Sequence, residues 1–561
     1  MTQVDERFDA IVVGSGLGGL VCAAYLAAGG QRVLVLEHHD IAGGNSHVFR
    51  RRRRYEFDVG VHYLGDCGPG GVIPAILGGL GLADRVRFRE MDRDGFDRTV
   101  LPDAVVDVPV GWDQYLKRLE EALPGESAGL RTFAAVCEAI AEEMRSLLLT
   151  SDELTAIELM KRTPETARWG RRTLDELFTE CGFSPKARTL LAAQSLNYGM
   201  SPSQVSVTTH ATVTDHYLRG AYYPVGGGQM LGASLVEVIE AHGGELRTSA
   251  TVTRILVSDK QVTGVELEDG TTLAAPVVVS NADFSRTVLD LVGPEHFPRS
   301  MVTKTREAVP GWPMVVLYVA LDRELTGLPN ANLWWHRDND IDGAYARLAD
   351  GLTDEVPFLF FSFASLKDPD TRTVCPPGHS NFQIMTLCPP GYASWGVEQG
   401  PTAGERYRRN HDYRTEKDRI TEAMLVAAEQ AIGPFRDSIT HLETATPLTQ
   451  ERYTRSTGGT PFGLASWGSA GTRPERMPVR GLHVVGQGTR FGCGVMAVMT
   501  GGVACASTIL GRRLLPEVHA GAVLGDPTLL PERDENWDPL RVSRGTARRG
   551  AKGLARIGGA R

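Results

Sequence analysis

Residues 8–19 read FDAIVVGSGLGG, an apolar run that ends in a cluster of glycines. Residues 8–13 have the composition of a buried β-strand, and residues 18–28, which are rich in alanine and leucine, predict a helix directly after the glycines. Two glycines end this helix, and residues 32–36 form a second apolar run of strand character. The stretch therefore predicts a strand, a helix and a parallel strand, which is how an α/β domain begins.

The glycines of this turn have the spacing GxGxxG, at Gly14, Gly16 and Gly19. In this pattern the first glycine allows a tight turn, the second lets the backbone approach a pyrophosphate at the helix N-terminus, and the third permits close packing of helix and strand. Glu37, at the tip of the second strand, would accept hydrogen bonds from a ribose diol and would repel a 2′-phosphate. The spacing alone is weak evidence, but its position between strand and helix predicts a dinucleotide site that disfavours NADP.

A second pair of glycines, Gly43 and Gly44, follows Glu37 by a few residues. This pair would let the chain pass close to the rest of an extended FAD molecule, so the predicted cofactor is FAD rather than NAD. At this point the sequence resembles the flavin-dependent amine oxidase and phytoene desaturase superfamily. That resemblance implies a discontinuous, Rossmann-like FAD-binding domain of the α/β class with an inserted α+β substrate domain.

The resemblance narrows in residues 57–65 (FDVGVHYLG), which look like the equivalent stretch of retinol saturases and carotenoid isomerase-like proteins. The pair His62 and Tyr63, together with His47, favours the saturases over the plant-type isomerases. Other saturase-like segments are residues 196–199 (LNYG), 210–217, 221–228 (AYYPVGGG) and 277–282 (VVVSNA).

A closing flavin motif is indicated by residues 481–487 (GLHVVGQ) and 491–494 (FGCG), which resemble a strand end and helix N-terminus in the same family. Many relatives carry an acid where this chain has Gln487, but an amide can still form hydrogen bonds. The residues expected to hold FAD on this resemblance are Gly14, Gly16, Leu17, Gly18, Gly19, Glu37, His38, Gly43, Gly44, Asn45, Val252, Asn281, Gly486, Gln487, Gly494 and Val495.

The predicted organisation alternates between the two domains. The FAD-binding domain is expected to comprise residues 1–110, 221–298 and 476–514. The substrate domain is expected in residues 111–220, which are mainly helical, and residues 299–475, which are mixed; residues 515–561 are predicted to form a loose basic tail.

The chemistry expected of such a protein is hydride transfer at flavin N5, with the protein orienting the substrate and excluding water. No catalytic triad or paired-carboxylate site is evident. His62 and Tyr63 are the candidate catalytic residues, because either could donate a proton to a reduced double bond and histidine titrates near neutrality; the alternative is packing alone. The candidate substrate-wall residues, for which a structural role is the alternative, are Tyr198, His210, Tyr217 and Trp334.

The predicted function is that of an FAD-dependent oxidoreductase acting on C–C or C=C bonds of a long apolar polyene or isoprenoid-type substrate. One alternative is an isomerase that uses reduced flavin without net redox change, which product mass would distinguish. A second is a non-catalytic lipid-escort protein related to the Rab GDP-dissociation inhibitors, which would be colourless. A third, an amine oxidase with a polar pocket, is less consistent with the saturase-like segments.

Composition limits the other possibilities. The 561 residues carry a net charge of −9, which argues against a nucleic-acid binder. Eight cysteines include no CxxC pair, so no metal site is predicted, and scattered thiols are typical of a cytoplasmic protein.

The N-terminus is polar and predicts no secretory signal. The sequence has no apolar run long enough to predict a membrane span, so any membrane contact would be peripheral. The sequence identifies neither an electron donor nor an oligomeric state.

Two basic stretches remain. Residues 50–54 are five consecutive arginines, interpreted as a solvated β-hairpin, with contact to an acidic lipid or partner as the alternative. Residues 541–561 carry seven Lys/Arg and no acid, and are interpreted as a solvated tail, with anionic lipid as the alternative partner.

Overall fold

The computed structural model describes residues 7–149, 155–351, 353–466, 476–489 and 491–545. The strands are β1 (Ala10–Val13), β2 (Val33–Glu37), β3 (Val48–Arg51), β4 (Tyr55–Asp58), β5 (Phe88–Glu90), β6 (Asp97–Leu101), β7 (Ala104–Val108), β8 (Tyr222–Pro224), β9 (Glu245–Thr248), β10 (Val252–Ser258), β11 (Gln261–Leu267), β12 (Thr272–Ala274), β13 (Val277–Ser280), β14 (Val309–Pro310), β15 (Met314–Leu321), β16 (Asn332–His336), β17 (Phe358–Ser362), β18 (Ser380–Leu387), β19 (Ile439–Ala445), β20 (Leu464–Ser466) and β21 (Leu482–Val484).

The α-helices are α1 (Leu17–Ala28), α2 (Val72–Gly79), α3 (Trp112–Ala122), α4 (Ser127–Leu149), α5 (Ala156–Arg162), α6 (Pro164–Trp169), α7 (Leu174–Cys181), α8 (Pro185–Leu191), α9 (Val207–Leu218), α10 (Gln229–Ala241), α11 (Phe284–Arg286), α12 (Arg299–Arg306), α13 (Ile341–Asp350), α14 (Ala364–Lys367), α15 (His411–Ile432), α16 (Pro447–Thr454), α17 (Val495–Leu510), α18 (Leu514–His519) and α19 (Pro539–Val542). A π-helical turn covers Thr287–Val292, and short 3-10 turns connect other elements.

A parallel sheet lies at the centre of the flavin-like part. Within the described residues its strand order is β21-β13-β1-β2-β9. Ala10 lies opposite Val277 on one side and Val33 on the other, so β1 is central and buried. Helices α1, α10 and α17 pack together beside this sheet. Because the strands come from three distant parts of the chain, the predicted discontinuous α/β fold is confirmed.

A second, mixed sheet has the order β19-β15-β18-β17-β16-β6-β7 among the described strands. Its pairings are antiparallel except for β16 with β6, where Trp334 lies opposite Thr99. Strands β6 and β7 therefore pair with the substrate-side sheet, although they fall within the predicted first FAD-binding segment, residues 1–110. The exact division into domains stays a prediction.

A helical layer covers the mixed sheet. Residues 111–220, predicted to be mainly helical, contain α3, α4 and α7 among other helices. Helix α4 packs against α9, and their apolar side chains share a core with those of the mixed sheet. The mainly helical character predicted for this part of the chain is confirmed.

The arginine run forms the predicted hairpin, with β3 and β4 antiparallel and left-handed φ angles at Arg52 and Arg53. The side chains of Arg52, Arg53 and Arg54 are exposed, as predicted, whereas Arg50 and Arg51 are half-buried and form ion pairs. Arg50 pairs with Glu56, and Arg51 Nε lies 2.6 Å from a carboxylate oxygen of Glu443. The first ion pair joins the two strands of the hairpin, and the second anchors the hairpin to β19.

The C-terminal segment also differs from the prediction. Residues 515–545 are not loose, because Leu530, Leu540 and Val542 are buried and α19 packs against α10. Residues 546–561, which contain most of the basic stretch, lie outside the described residues. No helix in the described part of the chain is long and apolar enough to cross a membrane. Peripheral membrane contact stays a prediction.

Candidate functional site

The turn between β1 and α1 requires glycine at each position of the spacing motif. Gly14 has φ of +91°, and α1 begins at Leu17 with no side-chain cap. A Cβ on Gly16 would lie 2.7 Å from Asn281 Nδ2, and one on Gly19 would lie 2.6 Å from the carbonyl oxygen of Gly14. A side chain at either position would displace its neighbours, so the backbone here can be approached closely.

The second glycine pair lies directly against the first. The Gly43 N–H donates to the carbonyl of Ser15 at 3.0 Å, and a Cβ on Gly44 would lie 2.8 Å from Gly16 Cα. Gly43 and Gly44 have φ of +131° and +54°. Both the close approach and the left-handed backbone favour glycine, so the structure brings the two predicted segments into one turn.

Glu37 ends β2 and is 6% exposed. Its carboxylate accepts hydrogen bonds from the Ser15 N–H at 2.9 Å, the Ser15 hydroxyl at 2.6 Å and the His39 N–H at 2.8 Å. These bonds fix the carboxylate beside the glycine turn. The neighbouring His38 does not join them, since its Nε2 lies 2.7 Å from the carbonyl of Tyr453.

The closing motif reaches the same place from the other end of the chain. A Cβ on Gly18 would lie 3.1 Å from the Gly486 nitrogen, and one on Gly486 would lie 2.8 Å from Asn281 Oδ1. Asn45 donates from Nδ2 to Gln487 Oε1 at 3.5 Å. Four sequence-distant segments therefore converge around the N-terminus of α1.

The remaining predicted cofactor residues border this group. Gly494 precedes α17 with φ of +99° and no side-chain cap, and Val495 is the first residue of that helix. Val252 begins β10, and Ala250 just before it donates its N–H to the Glu37 carbonyl at 2.8 Å. Val252 is thus placed at the end of β2, and Gly494 at a second helix N-terminus.

These features fit an extended dinucleotide. The glycine backbones leave space that side chains would fill, a carboxylate stands at the end of the second strand, and two helices begin without side-chain caps. Uncapped helix N-termini present free N–H groups, which bind anions such as a pyrophosphate. The donor and acceptor groups required by FAD are therefore available at this place.

Tyr63 lies in a buried polar group next to the mixed sheet. Its ring stacks on Tyr217 with the centroids 4.0 Å apart and the planes 9° apart. Its hydroxyl donates to Asp97 Oδ2 at 3.1 Å and accepts from Asn197 Nδ2 at 2.8 Å. The structure thus joins two of the sequence-predicted residues, Tyr63 and Tyr217, and adds two that the sequence analysis did not assign.

His62 is surrounded by aromatic rings. Its ring meets Phe360 edge-on at 5.7 Å, and Phe360 stacks on Trp334 at 4.0 Å. Among the described residues none forms a hydrogen bond with its buried Nδ1. Burial, aided by the charge of Lys367, lowers the pKa of His62 to about 3. The expectation that His62 titrates near neutrality is therefore wrong, and its imidazole is neutral at pH 7.

A fully buried lysine, Lys367, lies beside His62. Lys367 donates from Nζ to the carbonyl of His62, to Asn332 Oδ1 at 2.9 Å and to Ser362 Oγ at 2.7 Å. Asn332 in turn donates from Nδ2 to Asp97 Oδ1 at 2.9 Å. Burial lowers the pKa of Lys367 to about 7 and raises the pKa of Asp97 to about 7.

A second buried carboxyl, Asp58, lies near the lysine. It accepts from the Tyr223 hydroxyl and from the Gly228 N–H at 2.8 Å, and Lys367 Nζ is 5.2 Å from the centre of the Tyr223 ring. Burial raises the pKa of Asp58 to about 6. The site therefore holds one buried amine and two buried acids that influence its charge.

Tyr198 and His210 are partners of each other. The Tyr198 hydroxyl is 3.1 Å from His210 Nδ1, and the His210 ring packs 5.7 Å from Phe133 in the helical layer. Burial lowers the pKa of His210 to about 4. These contacts are those of a packed pair, whereas Asn197, next to Tyr198, is the residue that reaches Tyr63.

A family model described as flavin containing amine oxidoreductase matches residues 17–510, which is most of the chain. The chain belongs to this family. The predicted relationship is confirmed, and the protein is an FAD-dependent oxidoreductase of the flavin-containing amine oxidoreductase family.

Within the curated relatives, all-trans-retinol 13,14-reductase of Rattus norvegicus is 29% identical over 93% of this chain and 88% of its own length. The human protein of that name is 29% identical over 92% of this chain and 88% of its own. Prolycopene isomerase 1 of an Oncidium hybrid cultivar is 26% identical over 90% of this chain and 84% of its own length.

Solved structures support the family fold. An oxidoreductase from Methanosarcina mazei matches with a TM-score of 0.59 and 17% identity, over 89% of this chain and 99% of that one. Cyclohexylamine oxidase from Brevibacterium oxydans matches with a TM-score of 0.57 and 17% identity, over 90% of this chain and 99% of that one. At this identity the likeness extends to the fold of the flavin-containing amine oxidoreductases.

Several polar residues of this family member were missed in the sequence. Asp58 and Asn197 lie within segments quoted for their resemblance, yet nothing in those segments assigned them a role. Asp97, Asn332 and Lys367 carry no local pattern, because their meeting depends on strand pairing and on the position of α14. Only the unusual burial of charged residues singles them out, and burial is a property of the fold.

Proposed function

We propose that this oxidoreductase acts on C=C bonds of a long apolar polyene or isoprenoid-type molecule, in the saturating direction. The observation that carries the proposal is the aromatic surround of His62 and Tyr63, formed by Tyr217, Trp334 and Phe360. Stacked aromatic rings suit a conjugated, uncharged substrate better than an ammonium ion with its hydration shell. The similarity to relatives named for retinol and prolycopene supports the same substrate class.

The cofactor is proposed to lie along the converging glycine segments. The pyrophosphate would lie at the N-terminus of α1, over Gly14, Gly16 and Gly19, and Glu37 would accept hydrogen bonds from the adenosine ribose. The other residues proposed to contact FAD are Leu17, Gly18, His38, Gly43, Gly44, Asn45, Val252, Asn281, Gly486, Gln487, Gly494 and Val495. When bound, reduced FAD supplies a hydride from N5.

The protein's own part is to place the substrate and supply a proton. The Tyr63 hydroxyl is proposed as the proton donor, since it is buried and held between Asp97 and Asn197. The neutral His62 is proposed to donate or accept one hydrogen bond that orients the substrate, because its Nδ1 is buried and has no bond among the described residues. Tyr217 and Trp334 would form the apolar wall.

Product mass tests the reaction. The flavin-loaded protein, reduced under anaerobic conditions and incubated with a retinoid or a carotenoid, is expected to yield a product with two additional hydrogens and to return to the oxidised yellow form. The oxidised protein, incubated in the same way, is the control. A product of unchanged mass with shifted double-bond geometry would favour the isomerase, which the 26% identity to prolycopene isomerases supports as the second candidate. Turnover of amines alone would refute both.

Replacement of His62 by alanine is expected to slow turnover about tenfold without changing flavin content. One hydrogen bond to a bound molecule contributes about 1.4 kcal/mol, and the glycine segments proposed to hold FAD are not touched by the imidazole. Steady-state rates and the flavin-to-protein ratio measure the two effects separately. Full activity in this variant would remove His62 from the site, and loss of flavin would show that its role is structural.

A further inference from the structure

If Tyr63 donates its proton to the substrate, a second group must return a proton to the tyrosine oxygen. The π bond breaks and two C–H bonds form: bound reduced flavin would supply the hydride for one carbon, and Tyr63 would give its hydroxyl proton to the other. Burial raises the pKa of Tyr63 well above its usual value. A buried phenolate is therefore too costly to persist, so a proton must reach the tyrosine oxygen as its own proton leaves.

We propose that Asp97 is the proton reserve of Tyr63, and that Lys367 is the positioning residue that directs this proton toward the tyrosine; the inference rests on the proposed function. The Tyr63 hydroxyl donates to Asp97 and accepts from Asn197, and the hydroxyl of Tyr217 also interacts with it. The amide of Asn197 is not acidic enough to protonate a phenolate, and burial raises the pKa of the Tyr217 phenol, so the carboxyl of Asp97 is the donor. Asp97 is recharged from water between turnovers.

The surroundings of Asp97 favour its protonated form. The side chain is fully buried, and its other hydrogen-bond donors are the neutral amides of Gln194, at 2.6 Å, and Asn332, at 2.9 Å. Neutral donors offset the burial of a carboxylate less than an ion pair would, which agrees with the raised pKa of this group. Oδ2, where the proton would reside, faces the Tyr63 hydroxyl.

Lys367 settles which way the neighbouring amide points. An ammonium has three donors and no acceptor, and here the three acceptors are the His62 carbonyl, Ser362 Oγ and Asn332 Oδ1. Because Asn332 must turn its oxygen toward the lysine, it presents its NH₂ group to Asp97. Without the lysine the amide could turn over and accept the proton of Asp97, which would divert that proton from Tyr63.

The titratable groups that face Asp97 come from four places in the fold: Tyr63 after β4, Tyr115 on α3, Tyr217 on α9 and Lys367 on α14. The three phenols stay neutral near pH 7, because burial raises the pKa of each. The reductive rate should therefore fall as pH rises through about 7, where Asp97 loses its proton and Lys367 loses the charge with which it orients Asn332.

Asp97→Asn tests the reserve directly. The flavin-loaded variant is expected to reduce the polyene about 100-fold more slowly than wild type, with a rate that no longer falls near pH 7. The infrared band of protonated carboxyls at pH 6, which Asp97 shares with Asp58, should lose the Asp97 contribution in this variant and keep the Asp58 contribution, whereas Asp58→Asn should show the reverse. Asp58→Asn, which removes a buried acid that does not touch Tyr63, should keep the pH dependence.

Lys367→Met and Lys367→Gln test the positioning role. The methionine variant should lose rate through kcat with KM unchanged, while the glutamine variant, whose amide can still donate to Asn332, should recover part of the rate. The proposal is overturned if Asp97→Asn keeps both the wild-type rate and the fall near pH 7. Should that variant fail to fold, Tyr63→Phe must both slow the reduction and abolish the fall in rate near pH 7. If it does neither, the proposed proton transfer from Asp97 to Tyr63 is wrong. If wild type adds no hydrogens to any polyene, the proposed function fails instead, whatever the infrared result.

Discussion

Glu37→Arg is expected to give a colourless protein. The carboxylate of Glu37 is buried, and three hydrogen bonds from Ser15 and His39 hold it at the end of β2 beside the glycine turn. A guanidinium there can accept no bond from a ribose hydroxyl and would leave the Ser15 and His39 donors unpaired. Loss of charge-assisted bonds at this position should weaken FAD binding by at least about 100-fold.

The measurement is the flavin-to-protein ratio after gel filtration, from absorbance near about 450 nm. Glu37→Gln is the matched control, because it keeps the size and one acceptor oxygen and should retain part of the flavin. Thermal unfolding of both variants separates loss of cofactor from loss of fold. If Glu37→Arg is as yellow as wild type, Glu37 does not bind the ribose and the assignment of the nucleotide site is refuted.

Truncation after residue 525 is expected to remove flavin and lower stability together. The Ser543 carbonyl accepts the Ala42 N–H at 2.8 Å, one residue before the second glycine pair. Gln229 Nε2 donates to both Ser543 Oγ at 2.7 Å and the Ala42 carbonyl at 2.9 Å. Removing Ser543 therefore frees the segment that holds Gly43 against the glycine turn.

The stability loss has a second source. Glu237 on α10 is buried and pairs with Arg533 at 2.7 Å and with the Trp537 Nε1–H at 2.7 Å. Glu237 keeps its ion pair with Arg85 at 3.3 Å in the truncated chain, so losing its charge-assisted bonds to Arg533 and Trp537 should lower the free energy of unfolding by roughly 1.5–3 kcal/mol. Urea unfolding and flavin content measure the two effects. The chain ending at residue 545 keeps all of these contacts and should match wild type; equal behaviour of the shorter chain would contradict the anchoring role.

The flavin-like part of the fold was predictable because its signals are local. Gly14, Gly16 and Gly19 are required by backbone angles and by close approach within a short turn, and Glu37 follows at the end of the next strand. Such constraints act on neighbouring residues and leave a readable spacing. The hairpin at residues 50–54 was readable for the same reason.

The proton-handling group was not predictable. Asp97 and Lys367 are far apart in sequence and meet only because β6 pairs with β16 and α14 follows β17. The C-terminal anchor escaped prediction because Leu530 and Leu540 are isolated apolar residues without helical or strand periodicity. In both cases the deciding property is burial in the finished fold, which a single sequence does not display.

The strand order of the parallel sheet also fixes when the protein can acquire its cofactor in a cell. β1 leaves the ribosome first, yet its neighbour β13 emerges only after half of the chain has been translated, and the edge strand β21 only after most of it. At about 5–20 residues per second this delay is on the order of a minute. The nascent N-terminal unit must therefore persist with an unpaired edge, and FAD capture is a late, post-translational event that depends on protection of that edge in the meantime.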